Sequence, residues 1–249
     1  TCNMRIVASV EARMHSSRLP GKVLKDICGK PVLWHIVERL KRAERVQDIV
    51  IATTVNPKDD QIVEFADKLG VKIFRGSEED VLHRLVDAHK MMKSDTIVEI
   101  TGDSPLIDPE IVDQTIELYL NNDADYVSNT LTRSYPIGIR TQVFSLDLLS
   151  RCEKESYLPK DREHVTTHIC KNPDKFKLLN LEAPASQNFP KLRLTLDYEE
   201  DLNVIRKIYE GLYFEKPNFL LRDVLHFLSD HPDIPEINRH CRQIHKAGA

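Results

Sequence analysis

The chain has 249 residues, 41% of them hydrophobic and 30% charged, with a formal net charge of −4 at pH 7. This length and apolar content predict one domain over residues 1–249, with a sizeable core. A slightly acidic chain has no overall field that attracts nucleic acid or an anionic membrane, so neither is expected as a partner. No apolar stretch reaches the length of a membrane span, and the five scattered cysteines lack metal or redox spacing, which predicts a cytoplasmic protein with reduced thiols.

Short β-branched runs alternate with helical periods through the first half of the chain. The strand-like runs are residues 5–9, 48–53, 71–74, 96–100 and 125–129. Between them, apolar residues recur every three or four positions, as in 32–40, 62–69 and 81–88, which predicts helices. Asn56-Pro57 and Asp108-Pro109 are typical helix starts, and Gly70 is a typical helix end. The alternation predicts an α/β protein with a mainly parallel sheet and helices on both faces.

A cationic segment, residues 12–22, follows the first strand-like run. It carries Arg13, Arg18 and Lys22 among small residues and two hydroxyls, Ser16 and Ser17. Its Pro-Gly pair at 20–21 predicts a turn that aims the following lysine. Cations, hydroxyls and backbone amides at the carboxyl end of a first strand form a phosphate-binding site, whereas most basic loops are simply solvated. The alternation of cations with small residues favours phosphate binding.

Two aspartates stand at the ends of other strand-like runs. Asp103 follows the run 96–100 behind Gly102, which leaves room for a ligand, and Asp197 ends the run 192–196. The first is alternatively a turn residue, and the second is equally well explained as a helix N-cap or as a metal ligand. Carboxyl ends of neighbouring strands share one edge of the sheet. Together with the cationic loop, the two carboxylates suit metal-assisted nucleotidyl transfer.

The rhythm of strands and helices changes from about residue 131. Residues 135–138 form a predicted turn, 140–144 are extended and 162–171 are helical. We interpret about 131–190 as an excursion from the sheet. The alternation resumes with a strand at 192–196 and a helix through 202–212. The histidines between residues 226 and 245 show no metal-ligand spacing.

Ordered motifs through residues 4–205 resemble those of one enzyme family. They are Ala-Arg-x-x-Ser-x-Arg-Leu-Pro-Gly-Lys at 12–22, Gly-Lys-Pro-Val-Leu at 29–33, Phe-Arg-Gly-Ser-Glu-Glu-Asp at 74–80, Thr-Gly-Asp-x-Pro-Leu-Ile-Asp-Pro at 101–109, Arg-Glu-His-Val-Thr at 162–166 and Leu-Arg-Leu-Thr-x-Asp at 192–197. The chain resembles the bacterial cytidylyltransferases that activate acidic sugars, namely the CMP-Kdo and CMP-sialic acid synthetases. Within them it is most similar to the spore coat polysaccharide biosynthesis protein F group.

This resemblance implies a three-layer α/β/α nucleotide-diphospho-sugar transferase (Rossmann-like) fold with a mainly parallel mixed sheet. It also implies that CMP passes from CTP to a Kdo-like or sialic-acid-like sugar, with release of pyrophosphate, during surface polysaccharide biosynthesis. The excursion would complete the sugar pocket and form a homodimer. Mg²⁺ would be the cofactor.

The resemblance assigns roles to matching positions. Nucleotide contacts would come from Arg13, Ser16, Arg18, Lys22, Arg75, Gly76, Ser77 and Asp103. Sugar contacts would come from Arg133, Arg140, Arg162 and His164. Lys22, Arg18 and Asp103 would be catalytic, and Asp103 and Asp197 would bind the metal.

Several positions depart from the family pattern. Glu11 and His15 replace the usual residues beside the phosphate loop, and Tyr198 follows Asp197 where relatives have Thr-Pro. The segment Ile-Gly-Ile-Arg-Thr-Gln at 137–142 replaces an acidic one, Asp-Gly-Leu-Asp-Val-Glu, on the side expected to face the sugar. The acceptor is therefore the least constrained part of the prediction.

Other function classes fit less well. A dehydrogenase and a P-loop enzyme are excluded because their glycine-rich motifs are absent from the sequence. Asp-Ala-Asp at 123–125 imitates a glycosyltransferase metal motif but falls at a predicted helix-to-strand junction, which favours a structural role. A GT-A-type glycosyltransferase that consumes a nucleotide sugar, and a non-catalytic sugar-nucleotide-binding protein, stay open as alternatives.

Overall fold

The computed structural model describes residues 3–243, and nine strands lie within that range. They are β1 (Ile6–Glu11), β2 (Asp26–Ile27), β3 (Lys30–Pro31), β4 (Asp48–Thr54), β5 (Lys72–Gly76), β6 (Thr96–Thr101), β7 (Tyr126–Ser128), β8 (Gln142–Ser145) and β9 (Leu178–Asn180). Strands β2 and β3 form a separate antiparallel ribbon. The others make a seven-stranded sheet in the order β5-β4-β1-β6-β8-β7-β9. Cys2 and His245 lie outside the described residues.

Among the sheet strands in residues 3–243, only β8 runs against its neighbours. The central strand β1 pairs in parallel with both β4 and β6, so that Ser9 lies opposite Val50 on one side and Glu99 on the other. Strand β8 is antiparallel to β6 and to β7, whereas β7 and β9 are parallel. The mainly parallel mixed sheet is therefore confirmed. Because the parallel strands point the same way, their carboxyl ends meet at one edge.

Helices cover both faces of the sheet. Those in residues 3–243 are α1 (Val32–Lys41), α2 (Asp60–Leu69), α3 (Val81–Met92), α4 (Pro109–Leu120), α5 (Leu146–Glu155), α6 (Pro159–Glu163), α7 (Thr167–Cys170), α8 (Glu199–Leu212) and α9 (Leu221–Asp230). Alternate residues of β1 face opposite layers: Ala8 and Val10 join the core with α1, α4 and α8, whereas Val7 packs beside Met92 of α3. This two-residue period confirms the three-layer arrangement. No helix in the described range is long and apolar enough to cross a membrane.

Only parts of the segment 131–190 lie outside the sheet. Strands β8 and β9 lie within it and belong to the main sheet. Its predicted helix at 162–171 is two short helices, α6 and α7, separated at residues 164–166. The prediction of a strand at 192–196 is wrong, because Arg193 forms only an isolated bridge with Ile137 and the following backbone bonds to Asp103. That departure from the sheet places the next residues in the site.

Candidate active site

The loop of residues 12–21 is fixed by its main chain. Gly21 donates to the carbonyl of Met14 at 2.9 Å and has a φ of +69°, a conformation in which glycine avoids the strain that a Cβ would introduce. The Met14 N–H donates to Asp59 Oδ1 at 2.7 Å, and the Thr54 hydroxyl donates to the other oxygen of this buried carboxylate. Asp59 thus holds the loop against β4. The sequence did not single it out, because its partner lies 45 residues away.

Gly102 has a different role from the one expected. Its N–H donates to the Glu11 carbonyl at 2.9 Å, and a Cβ at this position would lie 2.8 Å from that oxygen and 3.0 Å from Val23 Cγ1. The small residue therefore allows the end of β6 to approach the start of the loop. It is the protein chain, and not a ligand, that requires a glycine here.

The cations of the loop meet the distant Asp197. Lys22 Nζ lies 3.0 Å from Asp197 Oδ1 and 2.9 Å from the Leu196 carbonyl, and Arg18 Nη2 lies 3.7 Å from the same carboxylate oxygen. The Asp197 side chain is only 7% exposed and that of Lys22 16%. A charge pair so poorly solvated interacts more strongly than a surface pair. The fold therefore brings together two predicted site segments that are 175 residues apart.

The N-cap alternative for Asp197 is wrong. Helix α8 begins at Glu199 with Tyr198 as N-cap, and Asp201 Oδ2 accepts the N–H groups of both Asp197 and Tyr198 at 2.9 Å. Asp201 is in turn held by Arg193, with Nε–Oδ1 and Nη2–Oδ2 distances of 2.8 and 2.9 Å. Because Tyr198 is the N-cap and Asp201 accepts its N–H, the Asp197 carboxylate is left facing the cations.

The ring of Tyr198 contacts two guanidinium groups, those of Arg18 and Arg193. Its ring lies 5.1 Å below the guanidinium carbon of Arg18 and 5.5 Å from that of Arg193. These cation–π contacts restrict where Arg18 points. The replacement of the usual Thr-Pro by tyrosine thus has a structural purpose that the sequence alone did not reveal.

Asp103 lies next to the segment that carries Asp197. Its carbonyl accepts the Leu196 N–H at 2.9 Å and the Thr195 hydroxyl at 3.2 Å. Its carboxylate, in a residue only 8% exposed, accepts the Thr101 hydroxyl at 2.5 Å. Backbone pairing with 195–196 therefore sets both aspartates at the same edge of the sheet. Arg13, on the loop, is exposed, and Ser16 Oγ accepts the Leu19 N–H at 3.4 Å.

The segment 75–77 borders the loop through structural contacts. Arg75 donates to the carbonyls of Thr54 and Asn56 at 2.8 and 2.9 Å and to Asp60 at 2.7 Å. It thereby fixes the turn that carries the loop's anchor at residue 59. A Cβ at Gly76 would lie 2.8 Å from Arg84 Cγ, and the Ser77 carbonyl accepts Arg84 Nη1 at 2.8 Å.

Gln142 is the centre of a buried polar cluster. Its Oε1 accepts the Tyr126 hydroxyl at 2.5 Å, the Thr166 hydroxyl at 2.8 Å and Arg140 Nη2 at 2.9 Å, and its Nε2 donates to Glu99 Oε2 at 3.2 Å. Burial opposes the charge on Arg140, but Tyr126 and Glu99 more than offset it, so the pKa of this arginine is raised. We call these five residues the Gln142 cluster.

The three other predicted sugar contacts, Arg133, Arg162 and His164, have different surroundings. Arg133 lies close to Arg140, and burial together with this neighbouring charge lowers the pKa of Arg133. Arg162, in contrast, has its guanidinium on Asp80 (Nη2–Oδ2 2.7 Å) and on the Glu153 carbonyl (2.7 Å), which ties α6 to the start of α3. His164 follows α6, and its N–H donates to the Lys160 carbonyl at 3.1 Å.

The Asp-Ala-Asp run is structural, as predicted. Asp125 accepts the N–H of Lys177 at 2.8 Å and donates its own N–H to the Lys177 carbonyl at 2.9 Å, and Asp123 is ion-paired with the Lys177 side chain. These contacts fasten the start of β7 to the chain entering β9. They leave this run no part in the site.

Comparison with known proteins agrees with this geometry. The cytidylyltransferase family model matches residues 7–221, and the chain therefore belongs to that family. It is 34% identical to the spore coat polysaccharide biosynthesis protein SpsF of Bacillus subtilis, over 92% of this chain and 95% of that protein. A 3-deoxy-manno-octulosonate cytidylyltransferase of Trichlorobacter lovleyi is 37% identical, but over only 48% of this chain and 46% of its own length. A cytidylyltransferase structure from Leptospira borgpetersenii superposes with a TM-score of 0.89 at 32% identity, covering 98% of this chain and all of that one.

Proposed function

We propose that this cytidylyltransferase transfers CMP from CTP to an acidic sugar, Kdo-like or sialic-acid-like, and releases pyrophosphate, as a step in surface polysaccharide biosynthesis. The observation that carries the proposal is the meeting of Lys22 and Arg18 with Asp197. Phosphate-binding cations and an acidic metal ligand are the two components that nucleotidyl transfer requires. The family and the similarity to SpsF support CTP and the polysaccharide pathway.

In the proposed reaction the sugar hydroxyl gives up its proton to solvent and its oxygen attacks the α-phosphorus of CTP in line. A new bond from phosphorus to the sugar oxygen forms as the bond to the β-phosphate oxygen breaks, and pyrophosphate leaves with the bonding electrons. Lys22 and Arg18 would shift from Asp197 toward the phosphates and balance the charge that develops there. The side chains can make this shift while the loop backbone stays in place, because main-chain hydrogen bonds hold the loop.

Asp103 and Asp197 fit a divalent cation of the Mg²⁺ type. Both are nearly buried carboxylates at one edge of the sheet, and Mg²⁺ prefers such oxygen ligands. When bound, Mg²⁺ neutralises phosphate charge and orients the leaving group. The protein's own contribution is to hold the backbone at both aspartates: the Asp103 carbonyl accepts the Leu196 N–H and the Thr195 hydroxyl, and Asp201 Oδ2 accepts the Asp197 N–H.

The preference for an acidic sugar is supported by Arg133 and Arg140. Burial, and after it the nearby charge of Arg140, lowers the pKa of Arg133, and a sugar carboxylate placed beside Arg133 would stabilise its charged form. Arg140 lies in the segment 137–142, which departs from the acidic pattern of the group that the sequence resembles. A homodimer and a cytoplasmic location are parts of the same proposal, and light scattering of the purified protein tests the dimer.

The direct test is a pyrophosphate-release assay with purified protein, CTP, Mg²⁺ and a panel of 2-keto-3-deoxy sugar acids. We expect release that depends on both CTP and one sugar acid, and a weaker response to neutral sugars. A glycosyltransferase would consume a CMP-sugar without releasing pyrophosphate, and a non-catalytic protein would bind CTP without turnover. Either of those outcomes contradicts the proposal.

A further inference from the structure

A second group of ligand atoms lies outside the proposed active site. Glu200, in the first turn of α8, is beside His240 and Cys241, which lie in the C-terminal segment of the described chain. The carboxylate, imidazole and thiol ligand atoms all lie within 4.8 Å of one another, and His240 Nε2 is 3.5 Å from Glu200 Oε1. We propose that these three side chains form a Zn²⁺ site.

The donor set favours zinc over the hard cation proposed for the active site. Zn²⁺ binds thiolate, imidazole and carboxylate together, whereas Mg²⁺ favours oxygen ligands only. Zinc–ligand distances of about 2.0–2.3 Å place tetrahedral ligands roughly 3.3–3.8 Å apart. The distances between the ligand atoms therefore have to shorten only slightly. The His240 side chain is 69% exposed and can move to make this change.

Charge is balanced when the ion binds. The Cys241 thiol loses its proton to solvent and binds as thiolate, and with the Glu200 carboxylate it offsets the two charges of Zn²⁺. A water molecule would complete the four-coordinate shell. The spacing of the histidines near the C-terminus could not reveal such a site, because the third ligand comes from a helix 40 residues earlier.

The site would fasten the C-terminal segment to the support of Asp197. Asn238 Nδ2 already donates to Asp201 Oδ1 at 2.9 Å, and Gln243 Oε1 accepts Arg193 Nη1 at 2.7 Å. Asp201 and Arg193 are the groups that hold the backbone before α8. A Zn²⁺ ion joining Glu200 to residues 240–241 would strengthen these contacts. Zinc binding at this site does not depend on the proposed function. Only an effect of zinc on cytidylyl transfer would rest on that proposed function.

The test uses the full chain, stripped of metal with a chelator and titrated with Zn²⁺ alone against a chromophoric competitor. We expect one Zn²⁺ per chain, and the variants Cys241→Ser and His240→Ala to weaken binding by more than the roughly 10- to 100-fold that loss of an outer-shell partner costs. Matched controls are Cys28→Ser and His226→Ala, which remove the same chemical groups elsewhere and should bind as the wild type does. Equal affinity in all five proteins, or no binding, overturns the site.

Two further readouts keep the test independent of folding defects and of catalysis. Co²⁺ in place of Zn²⁺ should give a thiolate-to-metal charge-transfer band in the wild type that is lost in Cys241→Ser and kept in Cys28→Ser. Added Zn²⁺ should raise the melting temperature of the wild type and of the two controls but not of Glu200→Gln, whose side chain is partly exposed and tolerates replacement. A band that persists in Cys241→Ser contradicts the proposal.

Discussion

The cationic loop and the Gln142 cluster solve the problem of holding charged groups in different ways. The loop fixes its backbone, through Gly21 and the N–H of Met14, and its cations reach out to a carboxylate. The Gln142 cluster fixes its side chains instead, because the amide oxygen of Gln142 accepts three hydrogen bonds. The first arrangement leaves its cations able to exchange partners, whereas the second is tied to one geometry.

This difference suggests how the two halves of the proposed site divide their work. Triphosphates are alike in charge and shape, so a rigid backbone with adjustable cations suffices for them. Discrimination among sugars needs polar groups that cannot rearrange, because a wrong partner then leaves a buried group unpaired. The loop should therefore govern turnover, and the Gln142 cluster should govern stability and sugar choice.

The largest effect is expected where the loop meets its carboxylate. Lys22→Ala should lower kcat by roughly 100- to 1,000-fold, the usual loss when a group that stabilises transition-state charge is removed. Asp103→Asn should have a comparable effect, with the folded state intact in both. Lys25→Ala, at a lysine three positions beyond Lys22 that has no part in the site, is the control. Steady-state pyrophosphate release measures the difference, and normal turnover in both variants would refute the assignment.

In the Gln142 cluster the expected change is in stability. Gln142→Ala removes the acceptor of Tyr126, Thr166 and Arg140, and unsatisfied buried groups cost about 1–3 kcal/mol each. Tyr126 and Arg140 also contact each other, so the losses do not simply add, and we expect the free energy of unfolding to fall by about 2–5 kcal/mol in urea titrations. Gln114→Ala, on the exposed side of α4, should change it by less than about 0.5 kcal/mol. Similar values for the two variants would contradict the role given to this cluster.

Two glycines separate the loop's conformation from its function. Gly21 and Gly29 both have positive φ, +69° and +84°, so an alanine at either should cost about 1–2 kcal/mol of stability. Gly29 lies in the β2–β3 turn with open space around its Cβ position. Only Gly21→Ala should also raise the KM for CTP, because it alone displaces the loop. If both alanine variants raise the KM equally, or if neither does, the geometry of the loop does not control nucleotide binding.

The smallest effect is expected at Tyr198. Replacing it by leucine removes the aromatic face under Arg18, and an exposed cation–π contact is worth about 0.5–1 kcal/mol. The KM for CTP should therefore rise by about two- to fivefold, with kcat little changed. Tyr198→Phe keeps the ring and should behave as the wild type does. If both variants raise the KM for CTP equally, the hydroxyl of Tyr198 and not its ring is responsible.

The sequence predicted most of the sheet and the residues of the phosphate side. Periodicity located β1, β4 and β6 to within two residues, because buried parallel strands are continuous apolar runs. It failed for 192–196, where backbone hydrogen bonds to Ile137 and Asp103 replace sheet pairing. That failure is local to the site, since leaving the sheet is what brings Asp197 to the cations.

Long-range polar partners were beyond the reach of sequence patterns. Arg162 donates to Asp80, 82 residues away, so an arginine expected to contact sugar is engaged in joining α6 to α3. Tyr198 is the N-cap that Asp197 was equally well expected to be, and Asp201 accepts the N–H groups of both residues. Both outcomes depend on which carboxylate the folded chain brings nearest to a donor. Local residue types do not fix that choice.

The fate of labelled phosphorus tests the proposed reaction most directly. Parallel reactions would use CTP labelled in the α-phosphate or in the γ-phosphate, with Mg²⁺ and the sugar acid that supports turnover. Cytidylyl transfer predicts that the α-label enters a CMP-sugar while the γ-label appears in pyrophosphate. An α-label recovered as free CMP or CDP, or a γ-label recovered as inorganic phosphate, would contradict it.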